Sequence, residues 1–205
     1  MKFILGQKVN MAQVWGEDGK VTPVTVVSVG SNVVTQVKTA EKDGYSAVQV
    51  GWGGRNPKNL SKAVKGHTKE LGNFSGLKEF RVEGSLALAV GDKLDASVFK
   101  AGDAVIISSI SKGKGFQGGV KRHGFHGGRR THGQKHSERE PGGIGGGGRA
   151  GGRVAKGIRM AGRMGGDRVT VKGLKIVQVD ATKNTILVSG AIPGHRGTLI
   201  EIREA

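Results

Sequence analysis

Residues 104–123 read Ala104-Val105-Ile106-Ile107-Ser108-Ser109-Ile110-Ser111-Lys112-Gly113-Lys114-Gly115-Phe116-Gln117-Gly118-Gly119-Val120-Lys121-Arg122-His123. The run from Ala104 to Ile110 is small or β-branched and reads as a strand. At Ser111 that pattern stops, and cations and glycines take over with neither strand nor helix periodicity. From Lys112 to Arg168 there are 14 Lys and Arg against three acids (Glu138, Glu140 and Asp167), so 57 residues carry +11 of the chain's +17. Twenty of the 38 glycines fall in the same window, including Gly145 to Gly148, and only eleven of its residues are apolar. Strand patterns resume beyond it at Val169-Thr170-Val171, Leu174 to Val179, Thr185 to Val188 and Thr198 to Ile202, with Asp180 to Asn184 as a hairpin loop.

Working back from residue 104, the first fifty residues also read as β-structure. Gly16 to Lys20 is a turn around Asp18-Gly19, followed by Val24 to Val29, Val33 to Val37 and Ala47 to Val50. Residues 52–93 change character, with a short helix expected over Pro57 to Lys65 and a short strand over Lys78 to Val82. The expected organisation is therefore mainly β. Residues 1–51, 94–111 and 169–205 supply barrel or sandwich strands, 52–93 an inserted α+β subregion, and 112–168 a long glycine-rich basic extension. Trp15 and Trp52 are expected to pack in the core or the subregion.

Composition narrows the partner. A net charge of +17 points to a polyanion, either nucleic acid or an anionic membrane surface. No run of apolar residues is long enough to span a bilayer, and no long basic amphipathic helix is visible. The opening Met1 to Lys8 turns polar too soon for a signal-peptide core, and cysteine is absent, which together predict a reducing cytoplasm. Nucleic acid remains. Ordering the extension costs about 1–2 kcal/mol per residue in backbone entropy, which eleven scattered apolar side chains cannot offset. The segment is expected to be disordered alone and to be ordered by phosphates, with glycines admitting close backbone approach. A flexible linker would favour Ser and join two domains, whereas strands of what reads as one body flank this segment.

Several motifs fail on context. Gly113 to Val120 satisfies GxGxxG, but a dinucleotide site needs a helix next, and Lys121-Arg122-His123-Gly124-Phe125-His126-Gly127-Gly128 predicts none. The kinase loops that would accompany GxGxxGxV are missing. His123, His126, His132 and His136 invite a metal, yet no cysteine accompanies them and the nearby acids sit among cations. No nucleophile elbow or apolar carboxylate pair suggests catalysis. Neither a cofactor nor a small-molecule substrate is expected.

The string Ser111 to Gly118, followed by Lys121-Arg122-His123-Gly124-Phe125 and Thr131-His132-Gly133, closely resembles the signature of the bacterial large-subunit ribosomal protein three family. The resemblance continues through Pro141-Gly142, Ile144-Gly145, Gly152-Arg153-Val154, Lys156-Gly157, Met160-Ala161-Gly162, Met164-Gly165 and Arg168 to Val171. It extends to Pro23 to Val26, Val34 to Lys38, Asp43-Gly44-Tyr45, Gly66-His67 and Gly190 to Gly194 in the body. It implies a β-barrel of the translation-protein type, carrying a loop that threads through 23S ribosomal RNA toward the peptidyl transferase centre. It also implies binding near the 3′ end of that RNA, nucleation of subunit assembly, contact with large-subunit proteins fourteen and nineteen, and a place in the cytoplasmic ribosome.

On this reading Lys112, Lys114, Lys121, Arg122, Arg129, Arg130, Arg153, Lys156, Arg159, Arg163 and Arg168 neutralise phosphates. Phe116, His123, Phe125 and His132 stack on or bond to RNA. A general nucleic-acid-compacting protein is the rival, but it would spread its cations over the whole chain. The chain departs from the family at the tip. Many members carry a glutamine shortly after the Ile-Gly pair, where this chain has Gly146-Gly147-Gly148, so no tip amide is available for methylation and the tip is expected to be mobile. Gly151 replaces a proline, Ala155 an aromatic and Asn10 a glycine.

Overall fold

The computed structural model describes residues 1–16, 18–82, 88–145 and 151–205, with Glu70 in backbone only. The strands in chain order are β1 (Phe3–Trp15), β2 (Val21–Ser28), β3 (Asn32–Lys38), β4 (Ala47–Gly54), β5 (Phe74–Arg81) and β6 (Lys93–Leu94). They continue with β7 (Ala104–Ile110), β8 (Gly115–Gln117), β9 (Gly162–Met164), β10 (Arg168–Asp180), β11 (Thr185–Ser189) and β12 (Leu199–Glu204). Short helices are α1 (Ala40–Asp43), α2 (Lys62–Thr68) and α3 (Gly119–His123). The chain forms two compact units: Met1–Ile110 with Arg168–Ala205, and Ser111–Asp167.

In the first unit, β1-β12-β7-β10-β11-β2 close into an antiparallel barrel. Alternation decides which side chains fill it: Ile4, Val27, Val105, Ile107, Ile176, Ile186, Val188, Ile200 and Ile202 are all buried. Closure requires bends. Register shifts at Lys8/Asn10, Val171/Leu174 and Ile176/Gln178 provide them, each an extra residue that raises the local twist. Pro23 interrupts nothing, because β11 pairs β2 only from Val24 to Ser28.

A second sheet, β5-β4-β3-β6, packs in the same hydrophobic cluster. Phe3 of β1 stacks on Phe80 of β5 with ring centroids 4.6 Å apart. Asn32, fully buried at the start of β3, joins the sheets by imitating a strand. Its Oδ1 accepts from the Leu5 N–H at 3.3 Å, and its Nδ2 donates to the Leu5 and Gly30 carbonyls at 2.9 Å. Across the sheet's polar face, Lys38 donates to Tyr45 Oη and pairs with Glu79, both at 2.8 Å. That contact holds the Glu79 carboxyl below its usual pKa and raises that of Lys38.

Three expectations need correction. Residues 1–51 do not all serve the barrel: β3 and β4 belong to the second sheet, so the inserted subregion begins near Asn32 rather than at residue 52. Short β-branched runs look alike in sequence, and only their pairing partners separate them. Val169 to Val171 and Leu174 to Val179 are one strand, β10, bent at its bulge rather than broken. Trp15 is 70% exposed at the end of β1, outside the core, because the β1–β2 hairpin continues beyond the rungs that β11 and β12 pair. Trp52 does pack against the core.

Candidate nucleic-acid interface

The unit Ser111–Asp167 starts where β7 ends and finishes where β10 begins. Its two ends are zipped together. The Ser111 N–H donates to the Asp167 carbonyl at 2.8 Å, and the Lys114 N–H to the Met164 carbonyl at 2.9 Å. β8 then pairs with β9 in the register Gly115↔Met164, Phe116↔Arg163 and Gln117↔Gly162. Directly opposed residues share a sheet face, so Phe116, 76% exposed, and the exposed Arg163 lie on the same face of this ladder. The sequence pattern predicts no regular structure here, yet the base of the segment carries this ladder and a helix.

The helix also corrects the reading of the glycine motif, since α3 does follow Gly113 to Gly118. It is a single turn, ended by Gly124 in the left-handed conformation (φ 73), whose N–H reaches the Gly119 and Val120 carbonyls. It has too few residues to build up the dipole of a dinucleotide-binding helix. Its last turn faces the return run instead. Arg122 Nη1 donates to the Met160 carbonyl at 2.8 Å, and His123 Nε2 donates to the same oxygen at 2.9 Å.

Glycines here make room for the chain's own atoms. A Cβ on Gly119 would lie 2.7 Å from the Phe125 ring, and one on Gly165 (φ 74) would overlap the Lys112 carbonyl. Those positions are glycine for intramolecular packing, whereas the composition suggests close approach to RNA for all of them.

The sequence-derived candidates then separate. Lys112, Lys114, Lys121, Arg129, Arg153, Lys156, Arg159 and Arg163 are exposed. Arg130 is exposed but pairs with Glu138 at 2.6 Å, which raises its pKa. Arg122, His123 and Phe125 are half-buried and brace the base of the unit. His132 is exposed in a turn with φ 59. Arg168 is the first residue of β10, in the barrel unit rather than the extension, and its exposed guanidinium pairs with Glu201. Among the described residues no group of His, Cys, Asp and Glu could hold a metal ion, and none of the helices is long and apolar enough to cross a membrane. The expectations for Gly146 to Gly148 lie outside the described residues.

With that geometry in view, comparison with known proteins gives a consistent answer. The profile of the family described as Ribosomal protein L3 matches residues 75–185. The large ribosomal subunit protein uL3 of Alkaliphilus metalliredigens is 47% identical over 203 residues, 98% of this chain and 96% of that protein. The chain belongs to the ribosomal protein L3 family. The proteins of the same name from Parafrankia sp. and Streptomyces avermitilis are 48% and 45% identical, over 98% and 100% of this chain and 86% and 96% of their own lengths. Membership makes it a structural ribosomal protein rather than an enzyme, and the mainly β barrel agrees with the fold that the resemblance implied. What sequence reading missed within the interface is the Met160 carbonyl as an organising acceptor. A backbone oxygen leaves no mark on composition.

Proposed function

We propose that this L3-family chain is a structural constituent of the large ribosomal subunit, binding 23S ribosomal RNA near its 3′ end and helping to nucleate assembly. Its extension reaches toward the peptidyl transferase centre, and its neighbours include large-subunit proteins fourteen and nineteen. One observation carries the reading. Eight of the candidate cations lie exposed on a unit whose two strands are zipped at the base, none of them in an ion pair among the described residues. Such an arrangement offers charge along two antiparallel runs that fit between RNA helices, and each neutralised phosphate releases counterions. The names of the relatives, all large-subunit proteins, support the same placement.

The test uses transcripts of the 3′ and 5′ regions of 23S ribosomal RNA in competition for the full chain. Preference for the 3′ transcript is expected. Equal affinity for both, and for duplex DNA, would point instead to general nucleic-acid compaction.

A further inference from the structure

A cavity of about 570 Å³ lies within the Ser111–Asp167 unit, lined by His123, Phe125, His126, Glu140 and Arg159 and by glycine backbone at 124, 127 and 128. Its size falls within the range of about 300–1,000 Å³ that small organic ligands occupy. Phe125 is braced in place: its ring packs on Gly119 and lies 5.7 Å from the His123 ring, and His123 is itself tied to Met160. Glu140 is the unexpected member. Glu138 is taken by Arg130, but the Glu140 carboxylate joins no hydrogen bond or ion pair among the described residues, although cations surround it in sequence. A free carboxylate repels phosphate, so it does not serve the backbone contacts proposed above.

We infer that this cavity receives one unstacked guanine base of the bound RNA, with Phe125 as the stacking surface and Glu140 as the reader of its edge. The inference rests on the RNA-binding reading of the same unit. Proteins that recognise single-stranded RNA stack splayed bases on aromatic rings or guanidinium planes and bond their Watson–Crick edges. A carboxylate only accepts. Guanine alone sets two donors side by side, N1–H and the N2 amino group, matching two carboxylate oxygens. Adenine and cytosine place a ring acceptor beside their amino group, and uracil flanks its N3–H with two carbonyls, so each meets the carboxylate with repulsion as well as a bond. Arg159, exposed on the cavity wall, neutralises the phosphate of the extruded nucleotide.

The test is fluorescence anisotropy of the full chain with labelled oligouridines carrying one central guanosine, inosine, adenosine or uridine. The guanosine probe should bind about five- to tenfold tighter than the adenosine and uridine probes, the low end of what a bidentate base contact discriminates. Inosine, lacking the N2 amino group, should lose most of that advantage. Glu140→Ala should abolish the preference: the guanosine probe loses its two bonds, while affinity for the adenosine and uridine probes holds or rises, since a negative charge is removed from a surface side chain. Lys121→Ala, which removes one of the exposed cations outside the cavity, unpaired among the described residues, should lower all affinities and keep the preference. Equal binding of all four probes, or a guanosine preference that survives Glu140→Ala, would overturn the inference and leave the RNA-binding reading intact. Failure of both the probes and the ribosomal RNA transcripts to bind at low salt would overturn both.

Discussion

Ile110 and Arg168 are register partners on β7 and β10, so the whole of Ser111–Asp167 can be excised and the strands rejoined through a two-residue Asn-Gly turn. The excision removes thirteen Lys and Arg with three acids, taking the net charge from +17 to +7. The barrel should survive, because its buried side chains all come from the other unit. Of the ten candidate cations in the excised unit, Arg130 is committed to Glu138 and Arg122 to the Met160 carbonyl, leaving eight for phosphates. At about 0.7–0.9 counterions per phosphate, those eight contribute roughly −6 to −7 to the slope of log affinity against log salt. Between about 50 and 200 mM salt, the intact chain should therefore lose about four orders of magnitude more affinity than the excised variant. Filter binding to a 3′-region 23S transcript measures both slopes, and circular dichroism confirms that the variant is folded. A folded variant with an unchanged slope would show that the phosphate contacts lie on the barrel unit, and the assignment of the interface would fail.

Three further outcomes test the scaffold. Gly165→Ala should cost about 1–2 kcal/mol in left-handed backbone strain alone, and its Cβ would also displace the Lys112 carbonyl; faster tryptic cleavage at Lys112 and Lys114 would report the loosened base, and an unchanged rate would refute it. Asn32→Ala strands the Leu5 N–H and carbonyl in the interior and removes the tie to the Gly30 carbonyl, and should destabilise the protein by about 2–4 kcal/mol in urea unfolding. A loss below about 1 kcal/mol would mean that the two sheets do not depend on that bridge. Glu79, its pKa lowered first by Lys38 and then by Tyr45 and Gln49, stabilises the fold above the unfolded carboxyl pKa, and that stability is lost as pH falls through the lower folded value. Thermal melts below about pH 4 should therefore show a shallower decline for Glu79→Gln than for the native chain, and parallel curves would refute the linkage.

Much of this protein is written locally. The position of the excursion, its +11 charge, the strands on either side and the family signature all lie in contiguous residues, because charge and β-branching are properties of the side chains themselves. Partnership is another matter. Val24 to Val29 and Val33 to Val37 read alike, yet β2 closes the barrel while β3 builds the second sheet, since a strand's own pattern records how much of it is buried and not what covers it. Arg168 looks like the last cation of the extension until Glu201, 33 residues on, claims it in the barrel. Glycine hides most. With no side chain to betray its surroundings, Gly165 could face an RNA backbone or its own chain, and only the folded unit shows the Lys112 carbonyl filling the space where a Cβ would be.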